Sequence, residues 1–309
     1  MGKYVLQRVI YMVVTLWVIA TFTFFLMHTL PGSPLKNEER LSPELQEQIL
    51  AEYGLDQPLP IQYVQYFKRL LVGDLGISFY YDGRKVTDLI AGGFPVSAHI
   101  GLQAILIGVL VGVPLGCIAA LRRGTAVDNA ATLVAILGVS VPSFVLAALL
   151  SYYVGVVWGI LPAGLWGSWK HSILPSLSLS VLVIAQMARF IRTEMLEVLG
   201  QDYIKTAKAK GLSQSVVVMR HALRNSLIPA ITILGPLMIN ILTGSLVVEH
   251  IFAIPGMGEM FVQSIVVNDY TGIMGVTLFY SLLIIIVIFV IDILYGLIDP
   301  RIRIAGVKE

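Results

Sequence analysis

IGLQAILIGVLVGVPLGCIAAL, residues 100–121, carries no charged side chain, and Arg122 and Arg123 follow it at once. A helix needs about 20 apolar residues to cross the hydrocarbon of a bilayer. Five more stretches read the same way: 9–30, 130–157 with Pro142 inside, 173–188 ending at Arg189, 230–248 with Pro236 and Asn240, and 272–298 with Asp292. Helices and closed barrels are the structures that span lipid, and these runs are too long and continuous for alternating barrel strands. The expected fold is therefore an all-α integral membrane protein with six transmembrane helices. Within the opening stretch Gly108, Gly112 and Gly116 recur every four residues, which gives one helix face where a neighbour can approach closely. Prolines at 114, 142, 175 and 236 are candidate kinks.

Composition agrees. The 309 residues are 57% hydrophobic and 13% charged, with a mean hydropathy of +0.83, whereas soluble domains run nearer a quarter charged. A net charge of +2 with no basic arm excludes nucleic acid as a partner. Cys117 is the one cysteine, so no intrachain disulfide or cysteine metal cluster can form. The N-terminal MGKYVLQRV is a short basic region before an uncharged stretch longer than a signal-peptide core, and reads as a retained first span. With both termini in the cytoplasm, fourteen of the 21 basic residues lie inside and seven outside, as the positive-inside rule requires.

The expected segments are an N-terminal span at 1–30, an extracytoplasmic helical insert at 31–99, and a five-span core at 100–309. In the insert, Ser42 can cap a helix, Pro43 suits its first position and Gly54 its stop. Leu45, Ile49 and Tyr53 keep helical spacing. A second amphipathic stretch, 61–72, puts Tyr63, Phe67 and Leu70 on one face. Such an insert is either a cap over the mouth of a pathway or a packed lid with no ligand role.

Catalytic patterns are absent. There is no G-x-x-x-x-G-K-[ST], no H-E-x-x-H and no G-x-S-x-G, and the five histidines are scattered. No enzyme, cofactor or metal chemistry is expected of the chain. Asp292 is an ionisable group within a span, a functional hypothesis by default, yet it lies about two turns from the cytoplasmic end and can equally reach water or a basic loop. Glu249, where the fifth span meets the outside, can fix the following loop or line the external mouth. Asn240 is a further polar group on a pathway or gate.

The longest cytoplasmic loop contains DYIKTAKAKGLSQSVVVMRHALRNSLIP at 202–229. Asp202 can cap a helix or sit in its first turn. Ile204, Ala207 and Lys208 then share a side, and Gly211 ends the helix. Ser213 can cap a second helix with an apolar face of Val216, Met219, Leu223 and Leu227, while Arg220 and Arg224 lie four apart. Pro229 marks the boundary with the next span. Thr206, Ala207 and Ala209 are small enough for another surface to come close. Three readings remain open: a basic pair lying on anionic headgroups, packing beneath the protein's own bundle, and docking into a cytosolic partner.

Lys205-Thr206-Ala207, then Gly211, closing at Leu227-Ile228-Pro229, resembles the cytoplasmic "EAA" loop of ABC-importer permeases. LPGSP at 30–34, GDLGIS at 73–78 and GSLVVEHIFAIPGMG at 244–258 are similar to motifs of the peptide and nickel branch. Lys205 and Thr206 depart from the Glu and first Ala of the loop's name, and the interval from Gly211 to Pro229 exceeds that of the general consensus; the peptide branch tolerates both. The resemblance implies the first of two permease subunits of a dipeptide or oligopeptide importer in a bacterial cell membrane. Its partners would be a second permease, two cytosolic ATPases that carry ATP and Mg, an extracellular peptide-binding protein and the lipid. A nickel importer permease of the same branch and a proton-coupled secondary transporter using Asp292 are the alternatives. The resemblance further implies ATPase coupling through Asp202, Tyr203, Lys205, Thr206, Ala207, Gly211, Arg220, Arg224 and Pro229.

Overall fold

The computed structural model describes residues 2–29, 42–81 and 83–298. Every regular element among them is helical, apart from an isolated bridge between Ile77 and Lys85. The LPGSP motif, Lys36, Arg40 and the basic residues after 298 lie outside the described residues, as do the side chains of Asn240 and Asp292.

Four helical segments among the described residues are long and apolar enough to span a bilayer: Leu6–Thr29, Val86–Leu121, Trp169–Leu199 and Tyr270–Val290. Helix α5 (Ala126–Ser140) and the segment Ser143–Val157 make a fifth if counted as one broken span, bent by 96°. Pro142 stands at that break and cannot donate the backbone bond that would carry the helix on. The fifth apolar stretch, 230–248, lies within α10 (Arg224–Ile251). The expectation of six spans is thus met for four, or five, among the described residues. Several helices outrun their apolar stretches. The helix expected at 173–188 continues as α7 (Ile173–Leu199) past Arg189 and Arg192, because helical propensity does not end where hydrophobicity does.

The chain divides into two compact units. One comprises Met1–Val96 and Pro255–Ile286. It holds α1 (Gly2–Thr29), α2 (Pro43–Tyr53), α3 (Leu59–Leu71), the start of α4 (Val86–Leu121), α11 (Met257–Val266) and most of α12 (Tyr270–Ile298). Gly54 ends α2 with a φ of +70°, the left-handed conformation expected of a helix-terminating glycine. Phe24 and Met27 of α1 bury against Tyr270, Ile273 and Met274 of α12, and Tyr63 and Tyr66 of α3 pack on that cluster. Val86, Leu89 and Ile90 of α4 form a second cluster with Met257, Met260 and Val276. The amphipathic face of α3 thus has an apolar surface to cover, and α3 is held by α1 and α12.

The other unit comprises Ser97–Ile254 and Val287–Glu309. Helix α7 is its axis, packed by α5, α6 (Ser143–Leu149) and α10. The α4 glycines face α7: a Cβ at Gly112 would lie 2.8 Å from the carbonyl oxygen of Ile184, and Cβ atoms at Gly108 and Gly116 would overlap Val183 and Ala188. The four-residue glycine repeat is therefore a helix-packing face. Ser176 of α7, fully buried, donates within 3.1 Å of the Ile100 carbonyl and the Gln103 side-chain oxygen, so its hydroxyl is satisfied in an apolar interior.

Candidate functional site: the basic loop and its supports

Beyond α7 the chain turns through Gly200 and Gln201 into α8 (Asp202–Ala209). Asp202 sits in the first turn of α8, where a negative charge favours the helix dipole. Its carboxylate pairs with Lys205 Nζ at 2.8 Å on an exposed surface, and the Thr206 hydroxyl donates to its carbonyl. Gly211, at φ +77°, ends the helix. The Gly211 amide donates to the Lys208 carbonyl at 2.9 Å and the Leu212 amide reaches the Ala207 carbonyl at 3.4 Å, the paired bonds of a Schellman stop.

Past the glycine, α9 (Gln214–Val216) widens into a π-helical turn, Val217–Leu223, and runs on as α10. This corrects the reading of Pro229 as a boundary. Proline loses one backbone donor but keeps a helical φ, so α10 passes through Pro229 without a break. The wide turn also changes which face is buried. Apolar positions counted at α-helical spacing fall out of phase across it. Val217, Val218 and Ala222 are buried, whereas Met219 is 61% exposed and Val216 is exposed too.

Ile204 and Ala207 are buried, and α8 packs them toward the turn Val217–Leu223. Ala207 is therefore spent on the chain's own packing, and the surface left open is formed by other residues. It carries Tyr203, Lys205, Thr206, Lys208, Ala209 and Lys210, with Leu212, Val216 and Met219 beyond the glycine and Arg220 and Arg224 after them. The Asn225 amide donates to the Tyr203 hydroxyl and to the His221 carbonyl, each at 2.9 Å, tying the two helices across the turn. The geometry makes a braced platform that exposes basic groups among apolar side chains.

A second bond network, which sequence reasoning missed, fixes the base of that platform. Arg192 of α7 meets Asp128 of α5 in a fork, Nε 2.5 Å from Oδ1 and Nη2 2.8 Å from Oδ2. The Gly124 amide donates to the same carboxylate at 3.0 Å. Asp128 is buried while Arg192 keeps partial contact with solvent. The pair joins the α4–α5 turn to the helix that leads into α8. Its one signal in the sequence was an acid at the start of an apolar run and an arginine past the end of another.

In the other unit, GDLGIS is a backbone device. Gly73 and Gly76 both take positive φ, and Asp74 Oδ1 accepts from the Gly76 amide at 2.9 Å. Ser78 donates to buried Asp269, which stands before the first residue of α12. Asp269 also accepts from the Phe79 and Gly272 amides at 3.1 Å and from the Thr271 hydroxyl at 3.0 Å. Thr271 in turn donates to the Ile77 carbonyl. One carboxylate thus caps α12 and clamps the insert's loop to it. An aspartate immediately before an apolar run was the readable signal. Glu249 is fully buried near the end of α10, and its carbonyl accepts from the Ile254 amide, closing that helix; His250 beside it is exposed.

Residues 112–304 match the model of the binding-protein-dependent transport system inner membrane component, and residues 1–100 the N-terminal model of the same membrane component. The chain belongs to the binding-protein-dependent transport system inner membrane components. Among members of this family, it is 48% identical to the dipeptide transport system permease protein DppB of Bacillus subtilis (strain 168), over 98% of each chain. It is 43% identical to the oligopeptide transport system permease protein OppB of Haemophilus influenzae, over 98% of this chain and 100% of that one. The family fold is shared with a chain of the MetNI methionine ABC transporter in inward-facing conformations, at a TM-score of 0.59 and 16% identity. That likeness covers 68% of this chain and 96% of the other. The family's members are membrane permeases rather than catalytic enzymes, and this member is a bacterial-type, multi-pass membrane protein.

Proposed function

We propose that the chain is a permease subunit of an ATP-driven importer for dipeptides or oligopeptides. The observation that carries this is the near-complete coverage of relatives named as dipeptide and oligopeptide permeases. In this reading it spans the membrane six times, with α10 as the fifth span and both termini in the cytoplasm. Residues 31–99 form the extracytoplasmic insert and residues 100–309 the core. It pairs with a second permease, two cytosolic ATPases that hold ATP and Mg, and an extracellular peptide-binding protein.

Within the loop 194–229, α8 is the coupling helix. Its open face of Tyr203, Lys205 and Thr206, with Arg220 and Arg224 nearby, meets an ATPase, while Ile204 and Ala207 bind it to the chain. Asp202 and Gly211 set its two ends. Closure of the ATPases displaces α8, and α7 and α10 transmit the movement as continuous helices, so two sites are linked through one two-state element. Glu249, Asn240 and Asp292 are candidates for the pathway or its gate. The test is co-purification from native membranes followed by uptake in proteoliposomes. Recovery of a second permease and a P-loop ATPase, with peptide uptake that requires ATP, is expected. Uptake by this chain alone without ATP overturns the reading.

A further inference from the structure

The insert-bearing unit contains a cleft of about 400 Å³ between α1, α3, the 73–79 loop and α12, the size of small-molecule sites. Phe24, Phe79, Tyr270 and Met274 form an aromatic and apolar wall on one part of it, and polar side chains including Gln62 and Gln65 line the rest. Two charged side chains on it are unspent among the described residues. The Arg69 guanidinium makes no ion pair, although the Arg69 carbonyl accepts from the Asp74 amide at 2.9 Å. Asp74 uses Oδ1 for the Gly76 amide and leaves Oδ2 open. Two opposite charges with adjoining backbones therefore stand at one cleft without neutralising each other, beside an aromatic wall.

We propose that this cleft binds a small zwitterion with an apolar side chain, a free short peptide or amino acid. Arg69 takes the carboxylate, Asp74 the ammonium, and the side chain lies against the aromatic wall formed by Phe24, Phe79 and Tyr270. A carboxylate suits a guanidinium fork, and a single cation or anion would satisfy only one of the two charges. The site belongs to the insert-bearing unit, and the coupling loop to the other. The inference rests on the peptide-importer reading only for its choice of ligand.

The test uses the full chain, purified with its partner subunits and without ATP, titrated with L-phenylalanyl-L-alanine, free L-phenylalanine and N-acetyl-phenylalanyl-alanine amide. Arg69→Gln and Asp74→Asn should each weaken the dipeptide or the free amino acid by about tenfold, as expected for a lost charge-assisted bond. Asparagine keeps the acceptor for the Gly76 amide, and unchanged melting temperatures show that the variants fold. Preference for the dipeptide over phenylalanine, or the reverse, identifies the ligand. No binding of either at millimolar concentration, equal binding of the blocked peptide, or binding indifferent to Arg69→Gln and Asp74→Asn overturns the proposal. Peptide uptake driven by ATP tests the importer assignment separately, since it can persist with an empty cleft.

Discussion

At Asp269, one buried carboxylate accepts from two hydroxyls and two backbone amides. Asp269→Ala removes a helix cap and strands several buried donors, so a loss of about 2–4 kcal/mol is expected. The check is the melting temperature of the purified protein, with protease cleavage in the 72–85 loop as a local readout. Gly211 poses a different residue-scale question. A Cβ there meets nothing within 4 Å, but its φ of +77° strains any ordinary side chain. Gly211→Val should cost about 1–2 kcal/mol locally and reduce transport while the protein still reaches the membrane. Gly211→Asn should keep most activity, since asparagine visits that conformation. Equal transport by both variants counts against the glycine stop as part of coupling. The sequence showed Gly211 as a stop because glycine has a local meaning, whereas Asp269 and Ser78 stand 191 positions apart and no local pattern joins them.

At the scale of elements, the Asp128–Arg192 fork links α5 to the helix leading into α8. Arg192→Ala leaves a buried carboxylate with only the Gly124 amide. A loss of stability is expected, smaller than for a fully buried pair because Arg192 retains solvent contact. Adding Asp128→Ala to Arg192→Ala should recover part of the loss, and a double-mutant cycle of melting curves measures the coupling. If the double variant is as unstable as the sum of the singles, the fork does not hold the elements together. Helix ends were legible where a residue enforces them, as at Pro43, Gly54 and Gly211. They were misjudged at Leu199 and Pro229, where hydrophobicity or a single proline stood in for the hydrogen-bond ladder. The buried face of the 214–223 segment was misjudged as well, because a π-helical turn shifts the register that a 3.6-residue period assumes.

For the whole molecule, the orientation proposed from the distribution of basic residues can be tested directly. Lys210→Cys should react with an impermeant thiol reagent only from the cytoplasmic side, and Arg84→Cys only from the outside, each in a Cys117→Ser background. Labelling of both from one side breaks the six-span topology. The two compact units are each discontinuous in sequence, since residues 255–286 join the N-terminal 96 rather than their neighbours in the chain. Tyr270, Ile273 and Met274 complete a core begun by Phe24 and Met27, a partnership that hydropathy records only as two separate apolar runs.

The sequence by itself determined the helical membrane class, the basic helix-glycine-helix loop and the glycine face of α4, because bilayer thickness, backbone conformation and side-chain size act over a few neighbouring residues. Only the tertiary structure decided that Ala207 faces inward, that Asp128 holds Arg192, and that Asp269 clamps GDLGIS. Those outcomes depend on which surfaces remain to be covered once the helices pack, and on which distant donor can reach a buried charge.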